Sequence, residues 1–280
     1  MSNILKNTMV EMTWPEIDAL AKKDALVILP LGVIEEHSRH LPLGTDIYIA
    51  TKEAEQIAEE LTRLGMPCVI APPFYWGAME VVTKNFPGSF NMRAQTIKLM
   101  IEDILMNLET AGFKKVIAIN AHGDEAHRRP IVETFKAYNV THELKARWQV
   151  YEEDLEWQGF KGDEAYIFVT KTYPFEKLFE IKTDLKDNFD IHAGAFETAE
   201  MKDYFPELTN MEIAKTLKAT NLQEEGIKRW LSGKVENTQV IPDGHAGDPA
   251  NSQFIKVHLE ECNKVLAKEL YDFYNKAYIE

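Results

Sequence analysis

Apolar and polar positions along this chain fall into blocks that switch between helical spacing and short unbroken apolar runs. Ala25–Leu31 is apolar throughout and reads as a strand buried on both faces. Across 46–64, Ile49, Ala50, Ala54, Ile57, Ala58 and Leu61 recur at helical spacing, and Gly65 marks the stop. Cys68–Ala71 predicts a second short strand. Ile97, Ile101, Ile104, Leu105 and Leu108 form one stripe over 92–109, ending near Gly112. Lys115–Asn120 is the third predicted strand, a helix covers about 125–138, and Ala146–Tyr151 is the fourth strand. Near the start, Thr13 and Glu16 have the spacing of a capping box and open a helix to about Lys23. Strands separated by helices predict βαβ crossovers, and so an α/β fold with a mostly parallel sheet flanked by helices.

Residues 152–190 break this rhythm. They hold eleven Asp or Glu against five Lys, with Trp157, Phe160, Tyr166, Phe168, Tyr173, Phe175 and Phe179 scattered among them. So many aromatics argue against disorder. The segment is expected to be an insertion packed on the sheet edge or on a neighbouring subunit. From about Ser252 to Asn275, the positions Ile255, Leu259, Cys262, Leu266, Leu270 and Phe273 predict one amphipathic helix. No internal repeat or low-complexity linker interrupts the chain, so residues 1–280 are read as a single domain.

Composition narrows the function classes. A net charge of −14 argues against a nucleic-acid partner, which needs a basic face. Cys68 and Cys262 are too few for a disulfide framework. No apolar run approaches the roughly 20 residues that cross a bilayer, so no membrane partner is expected. The N-terminal stretch lacks the basic-then-apolar order of a signal peptide, which makes a cytoplasmic location the expectation.

The chemistry concentrates just past two predicted strand ends. Glu35 and His37 follow the first strand at i, i+2, a spacing that puts both side chains on one face of extended backbone. Asp46 closes the same loop, and His122 lies just past the third strand. In a parallel sheet these ends share one edge, so the loops can meet. Together the four would form a mixed nitrogen and oxygen site suited to Zn²⁺, Mn²⁺ or Fe²⁺ rather than Ca²⁺ or Mg²⁺. Taken singly, Asp46 also fits a helix N-cap and His122 a hydrogen-bonded loop histidine.

The spacing Pro30-x-Gly32-x-x-Glu35-x-His37-x-x-His40-Leu-Pro-Leu-x-Thr-Asp46 resembles the first signature of the creatininase family. Asn120-Ala-His122-Gly resembles the second, and His192-Ala-Gly-x-x-Glu197-Thr198 the third. Phe86-Pro-Gly-Ser89 and Gly247-Asp-Pro249 are similar to shorter landmarks, all in the family's order. The resemblance implies a two-metal amidohydrolase that acts on a small-molecule amide and assembles as a homo-oligomer, commonly a hexamer. Carried over by position, Glu35 and His122 would hold one metal, His37 the other, and Asp46 would bridge them. The second metal's further carboxylate falls on Glu197, with Asp124 the close alternative. Metals so placed would bring a shared water's pKa toward neutrality for attack on an amide carbon. His192 takes the place of the catalytic histidine as general acid/base, with Glu197 beside it. His40 and Asn120 are expected to orient ligands rather than bind metal. Gly123 is assigned to substrate binding.

Some positions depart from the pattern. Ser38-Arg39 stands where Gly-Pro is usual, and Arg39 is a candidate to pair with a substrate carboxylate or phosphate. Asp124-Glu125 replaces Gly-Asn. The acidic segment covers the region where the family would touch substrate, a departure that counts against creatinine itself; the resemblance implies a cyclic amide such as creatinine or a formamide. The alternative from another class is a maturation or scaffold protein of the same fold that binds a peptide partner. His127, His142, His245 and His258 lie in no motif and are expected to be solvated or structural.

Overall fold

The computed structural model describes residues 3–276 apart from positions 82, 173, 188, 233 and 235. Tyr173, one of the aromatics noted above, therefore lies outside the described residues. Five strands form one sheet: β1 (Leu26–Leu31), β2 (Cys68–Ile70), β3 (Lys115–Asn120), β4 (Lys145–Tyr151) and β5 (Ile167–Thr170). Their order is β2-β1-β3-β4-β5, and every neighbouring pair is parallel.

Alternate residues of the central strands feed two separate cores, the period-2 consequence of the pleat. Val27, Leu29, Val116 and Ala118 pack on one face against Ile97, Ile101 and Leu105 of α3 (Ala94–Thr110) and Ile131 and Phe135 of α4 (Glu125–Thr141). Leu26, Ile28, Ile117 and Ile119 pack on the other face against Ala54, Ile57 and Leu61 of α2 (Thr45–Arg63) and Leu266 and Leu270 of the C-terminal helix Leu259–Lys276. The sheet is thus covered on both sides, which is why its strands read as unbroken apolar runs. At the start, α1 (Trp14–Lys22) opens with the expected capping box between Thr13 and Glu16. Among the described residues no helix is long and apolar enough to cross a membrane.

Two expectations change. The acidic segment does not merely pack on the sheet edge: its Ile167–Thr170 is the edge strand β5, paired with β4 from Trp148↔Ile167 to Tyr151↔Thr170. The C-terminal helix begins at Leu259, not near Ser252. Ile255–Val257 before it forms β7, antiparallel to β6 (Phe179–Ile181) in a separate two-stranded sheet.

Candidate metal centre

The topology brings the two loops together. From β1 the chain moves outward to β2 on one side and then crosses to β3 on the other, so the sheet's switch point lies between β1 and β3. Glu35 and His37 leave the end of β1, Asp46 sits in the first turn of α2, and His122 follows β3. A third segment closes over them. It runs from His192, bridged to Ala246, into the helix Ala195–Tyr204 that carries Glu197.

Asp46 is the centre of the arrangement. Its Oδ1 lies 3.0 Å from His37 Nε2 and its Oδ2 3.1 Å from His122 Nδ1. Glu35 Oε1 stands 3.0 Å from His122 Nδ1 and 4.0 Å from His37 Nε2. Glu197 Oε2 is 3.9 Å from His37 Nε2. The N-cap of α2 is Gly44, so Asp46 does not serve as the cap.

Three overlapping sets of ligand atoms each lie within 4.8 Å of one another: Glu35–Asp46–His122, His37–Asp46–Glu197, and Glu35–His37–His192. His37 Nε2 and Asp46 Oδ2 are buried without a hydrogen-bond partner of proper geometry. Orphaned atoms of this kind at the heart of a buried nitrogen and oxygen cluster fit a divalent metal.

Each histidine is braced from behind, which fixes the nitrogen it presents. His37 Nδ1 lies 3.2 Å from the Glu35 carbonyl, His122 Nε2 3.1 Å from the Ala78 carbonyl, and His192 Nε2 2.9 Å from the Glu36 carbonyl. The opposite nitrogens therefore face the carboxylates. Asn120 donates to the His122 carbonyl at 2.6 Å and contacts His127 Nε2 at 3.1 Å. His40 reaches the Thr198 hydroxyl at 2.8 Å, one residue past Glu197. Thr83, buried in the segment before Phe86, donates to Glu35 Oε2 at 2.5 Å.

Electrostatics reflect the same crowding. Burial would strip His37 of its proton, but Asp46, Glu197 and Glu35 outweigh it and push the ring up to about 10. His122 rises well above its ordinary value against burial, chiefly through Glu35 and Asp46. Burial opposes ionisation of Asp46, yet the two rings hold it well below the usual carboxylate range. His127 and His40 go the other way: burial, with a neighbouring histidine, lowers each to about 3 and keeps it neutral.

Asp190 ties the third segment together and has no sequence signal of its own. Its Oδ2 accepts the backbone N–H of Ala195 at 2.6 Å and of Asp248 at 3.1 Å, and its Oδ1 that of Phe196 at 3.2 Å. A Cβ on Gly194 would lie 2.3 Å from Asp190 Oδ1, and one on Gly247 2.4 Å from Oδ2. Both motif glycines thus leave room for this carboxylate.

Two sequence candidates sit elsewhere. Asp124 is the N-cap of α4, with Oδ1 accepting from Ala126 N at 2.8 Å and Oδ2 from Val81 N at 3.0 Å, and it joins none of the three ligand sets. Arg39 points outward with its side chain 62% exposed, and pairs with Asp243 at 3.0 Å. The glycine usual at the preceding position explains part of this turn. Ser38 adopts the left-handed region at φ 61°, and its N–H is held by Glu36 Oε2 at 2.9 Å. The motif-free histidines divide as well: His127 and His245 are buried rather than solvated.

A cavity of about 580 Å³ opens over the cluster. Glu35, Asp46, His122, His192 and Glu197 line its base, and Gly123 and Asp124 one side. Val81, Trp157, Ile191 and Leu231 contribute apolar wall, and Arg128 a single cation. A Cβ on Gly123 would meet nothing within 4 Å, so that residue opens directly on the cavity. The volume suits a small molecule.

The creatininase family model (creatinine amidohydrolase) matches residues 10–272. This chain belongs to the creatininase family. It is 26% identical over 219 residues to the 3-dehydro-scyllo-inosose hydrolase of Thermotoga maritima, covering 77% of this chain and 61% of that protein, under two thirds of its length. It is 24% identical over 211 residues to the creatinine amidohydrolase of Pseudomonas putida, covering 72% and 73%. The fold matches a crystal structure of creatininase with a TM-score of 0.66 over 97% of both chains, at 19% identity. Solved creatininases of this fold include a manganese form and a zinc–zinc form.

Proposed function

We propose that this creatininase-family hydrolase cleaves the C–N bond of a small non-peptide amide, either a cyclic amide or a formamide, with two divalent ions per chain. Glu35, Asp46 and His122 would hold one ion, and His37, Asp46 and Glu197 the other. The observation that carries the reading is the single buried carboxylate of Asp46, 3.0 Å from His37 and 3.1 Å from His122, shared by two ligand sets at the base of one cavity. Zn²⁺, Mn²⁺ and Fe²⁺ all suit these ligands.

A bound metal pair supplies Lewis acidity toward a carbonyl oxygen and lowers the pKa of water. The chain's own groups do the rest. His192 keeps its Nε2 occupied by the Glu36 carbonyl and holds Nδ1 3.9 Å from Glu35 Oε1, ready to carry a proton to the leaving nitrogen. Glu197 accepts the Ala193 N–H at 2.6 Å, which aims its carboxylate at the cluster. Asn120 and His40 brace the loop of His122 and the helix of Glu197. The apolar wall would shield the base once a substrate fills the cavity. The protein would act in the cytoplasm as a homo-oligomer of the hexameric kind, with exposed Trp14, Leu99 and Met106 available for assembly.

Metal content per chain, measured by plasma mass spectrometry on wild type and Asp46→Ala, tests the centre. The expected result is near two ions in wild type and near none in the variant, with turnover in a panel of cyclic amides and formamides. Near-zero metal in wild type after reconstitution with Zn²⁺, Mn²⁺ or Fe²⁺ would overturn the reading and leave a peptide-binding scaffold in its place.

A further inference from the structure

The cavity's far wall carries a charge that the hydrolytic reading does not use. Arg128, in the first turns of α4, is the one Lys or Arg among the residues lining the cavity. It is half-buried, with its guanidinium carbon 5.8 Å from the ring centre of Trp157 and 5.6 Å from that of Phe160. Nη1 donates to the Gln158 carbonyl at 2.8 Å, its single hydrogen bond among the described residues. Nε is buried without a partner, and no described carboxylate lies within ion-pair distance of the group. A half-desolvated guanidinium with no carboxylate in contact is unfavourable by itself. It is nevertheless held in a fixed plane by two rings and one carbonyl, as a preorganised recognition group is.

The other charges on the wall point to the same conclusion. Asp124 spends both oxygens on backbone N–H groups, and Glu35, Asp46 and Glu197 face the cluster at the base. Glu125, the remaining acid on the wall, attracts Arg128 through space but does not come within contact distance of it. With Nε buried and Nη1 on the Gln158 carbonyl, Nη2 is the donor left for a ligand among the described contacts. A planar guanidinium fork matches a planar carboxylate in geometry as well as charge.

Resting on the amidohydrolase reading above, we infer that Arg128 selects substrates that carry a carboxylate: an amide whose scissile carbonyl sits at the metal cluster while its acid group pairs with Arg128 across the cavity. This assigns to Arg128 the anion recognition that the sequence suggested for Arg39, which turns away to Asp243.

Two ligands that differ mainly in charge, succinamate and its neutral amide succinamide, test the assignment by tryptophan fluorescence titration of the metal-loaded protein. Trp157 beside Arg128 is the natural reporter. A hydrogen-bonded charge pair contributes about 1.5–3 kcal/mol, so wild type should prefer succinamate by about 10- to 100-fold. Arg128→Met should abolish the preference while leaving succinamide binding within about twofold, and Arg128→Lys should restore part of it. No preference in wild type overturns the inference, as does a preference that survives Arg128→Met. Equal loss of both ligands in Arg128→Met and Arg128→Lys would mean that Arg128 only holds the Gln158 segment in place, and would also overturn it. Hydrolysis is followed separately. Carboxylate preference without turnover of any amide leaves the inference standing and removes the hydrolase reading. Turnover indifferent to the carboxylate does the reverse.

Discussion

Asp124 and Glu197 are the two carboxylates that the sequence offers for the second metal set, and their surroundings in the structure predict opposite results when each is altered. Asp124 holds the N–H of Ala126 at 2.8 Å and of Val81 at 3.0 Å. Removing an N-cap acceptor costs about 0.5–2 kcal/mol, and an unsatisfied buried donor about 1–3 kcal/mol. Ala126 and Val81 are only partly buried, so water recovers some of that loss. Asp124→Ala should therefore destabilise the metal-free protein by about 2 kcal/mol, and Asp124→Asn, which keeps a cap acceptor, by under about 1 kcal/mol. Both variants should still load two metals. Glu197 makes one backbone contact, to Ala193 N at 2.6 Å, which a glutamine oxygen reproduces. Glu197→Gln should thus change stability by less than about 1 kcal/mol while metal content falls from two ions toward one. Urea denaturation of the metal-free proteins and plasma mass spectrometry after gel filtration read both quantities. If Asp124→Asn lost an ion while Glu197→Gln kept both, the assignment of the second set would be refuted, because capping and ligation would have changed places.

Three further outcomes follow from the same geometry. His192→Gln should keep the wild-type metal content and lose about 10²- to 10⁴-fold in kcat, the usual scale for general acid/base catalysis; loss of an ion would make His192 a ligand through the Glu35–His37–His192 set. Thr83→Val removes the hydroxyl that holds Glu35 Oε2 and should weaken binding of the first metal by about 10- to 100-fold in a chelator competition, with unchanged affinity counting against that role. Glu53 on α2 is pushed by burial up to about 7 from 4.5. The unfolded chain ionises first as pH rises, so the folded state loses stability between those values and the loss levels off above pH 7. Allowing for partial exposure, Glu53→Gln should add about 1–2 kcal/mol at pH 8 and nothing near pH 4.5; a gain equal at both pH values in thermal melts would exclude the titration.

The central strands were legible because both faces are buried. The runs at 25–31 and 115–120 lie next to each other in the sheet, and the loops after them carry the candidate ligands. The edge was not legible. Ile-Phe-Val-Thr of β5 is too short to stand out among acidic neighbours, and only pairing with β4 identifies it. Ile255 joined the helical stripe because Ile255, Leu259 and Cys262 fit helical spacing, although Ile255 packs from a strand. In the site, Glu35, His37, Asp46 and His122 announced themselves as metal-binding residue types in strand-end loops. Thr83, Asp190 and Arg128 did not, since a hydroxyl or a carboxylate that serves a neighbour through space leaves no period or spacing behind.

The departures at Ser38-Arg39 show how this chain can keep the family's centre and change what reaches it. Ser38 accepts a left-handed backbone at φ 61°, a conformation glycine adopts more readily, and Glu36 and the Asp243 carbonyl stabilise it through its N–H and hydroxyl. Gly244 makes this possible: a Cβ there would lie 2.1 Å from Glu36 Oε2. The turn sends Arg39 to Asp243 on the outside, so the cation next to the candidate metal ligands in sequence points away from them. The ligand cluster is braced by backbone carbonyls at Glu35, Ala78 and Glu36, which side-chain substitution leaves in place. The opposite wall is built from side chains on α4 and the acidic segment, Arg128 and Trp157 among them, which can change without disturbing that bracing. Exchanges on this wall should therefore alter which amide the proposed hydrolase accepts while the metal content stays fixed.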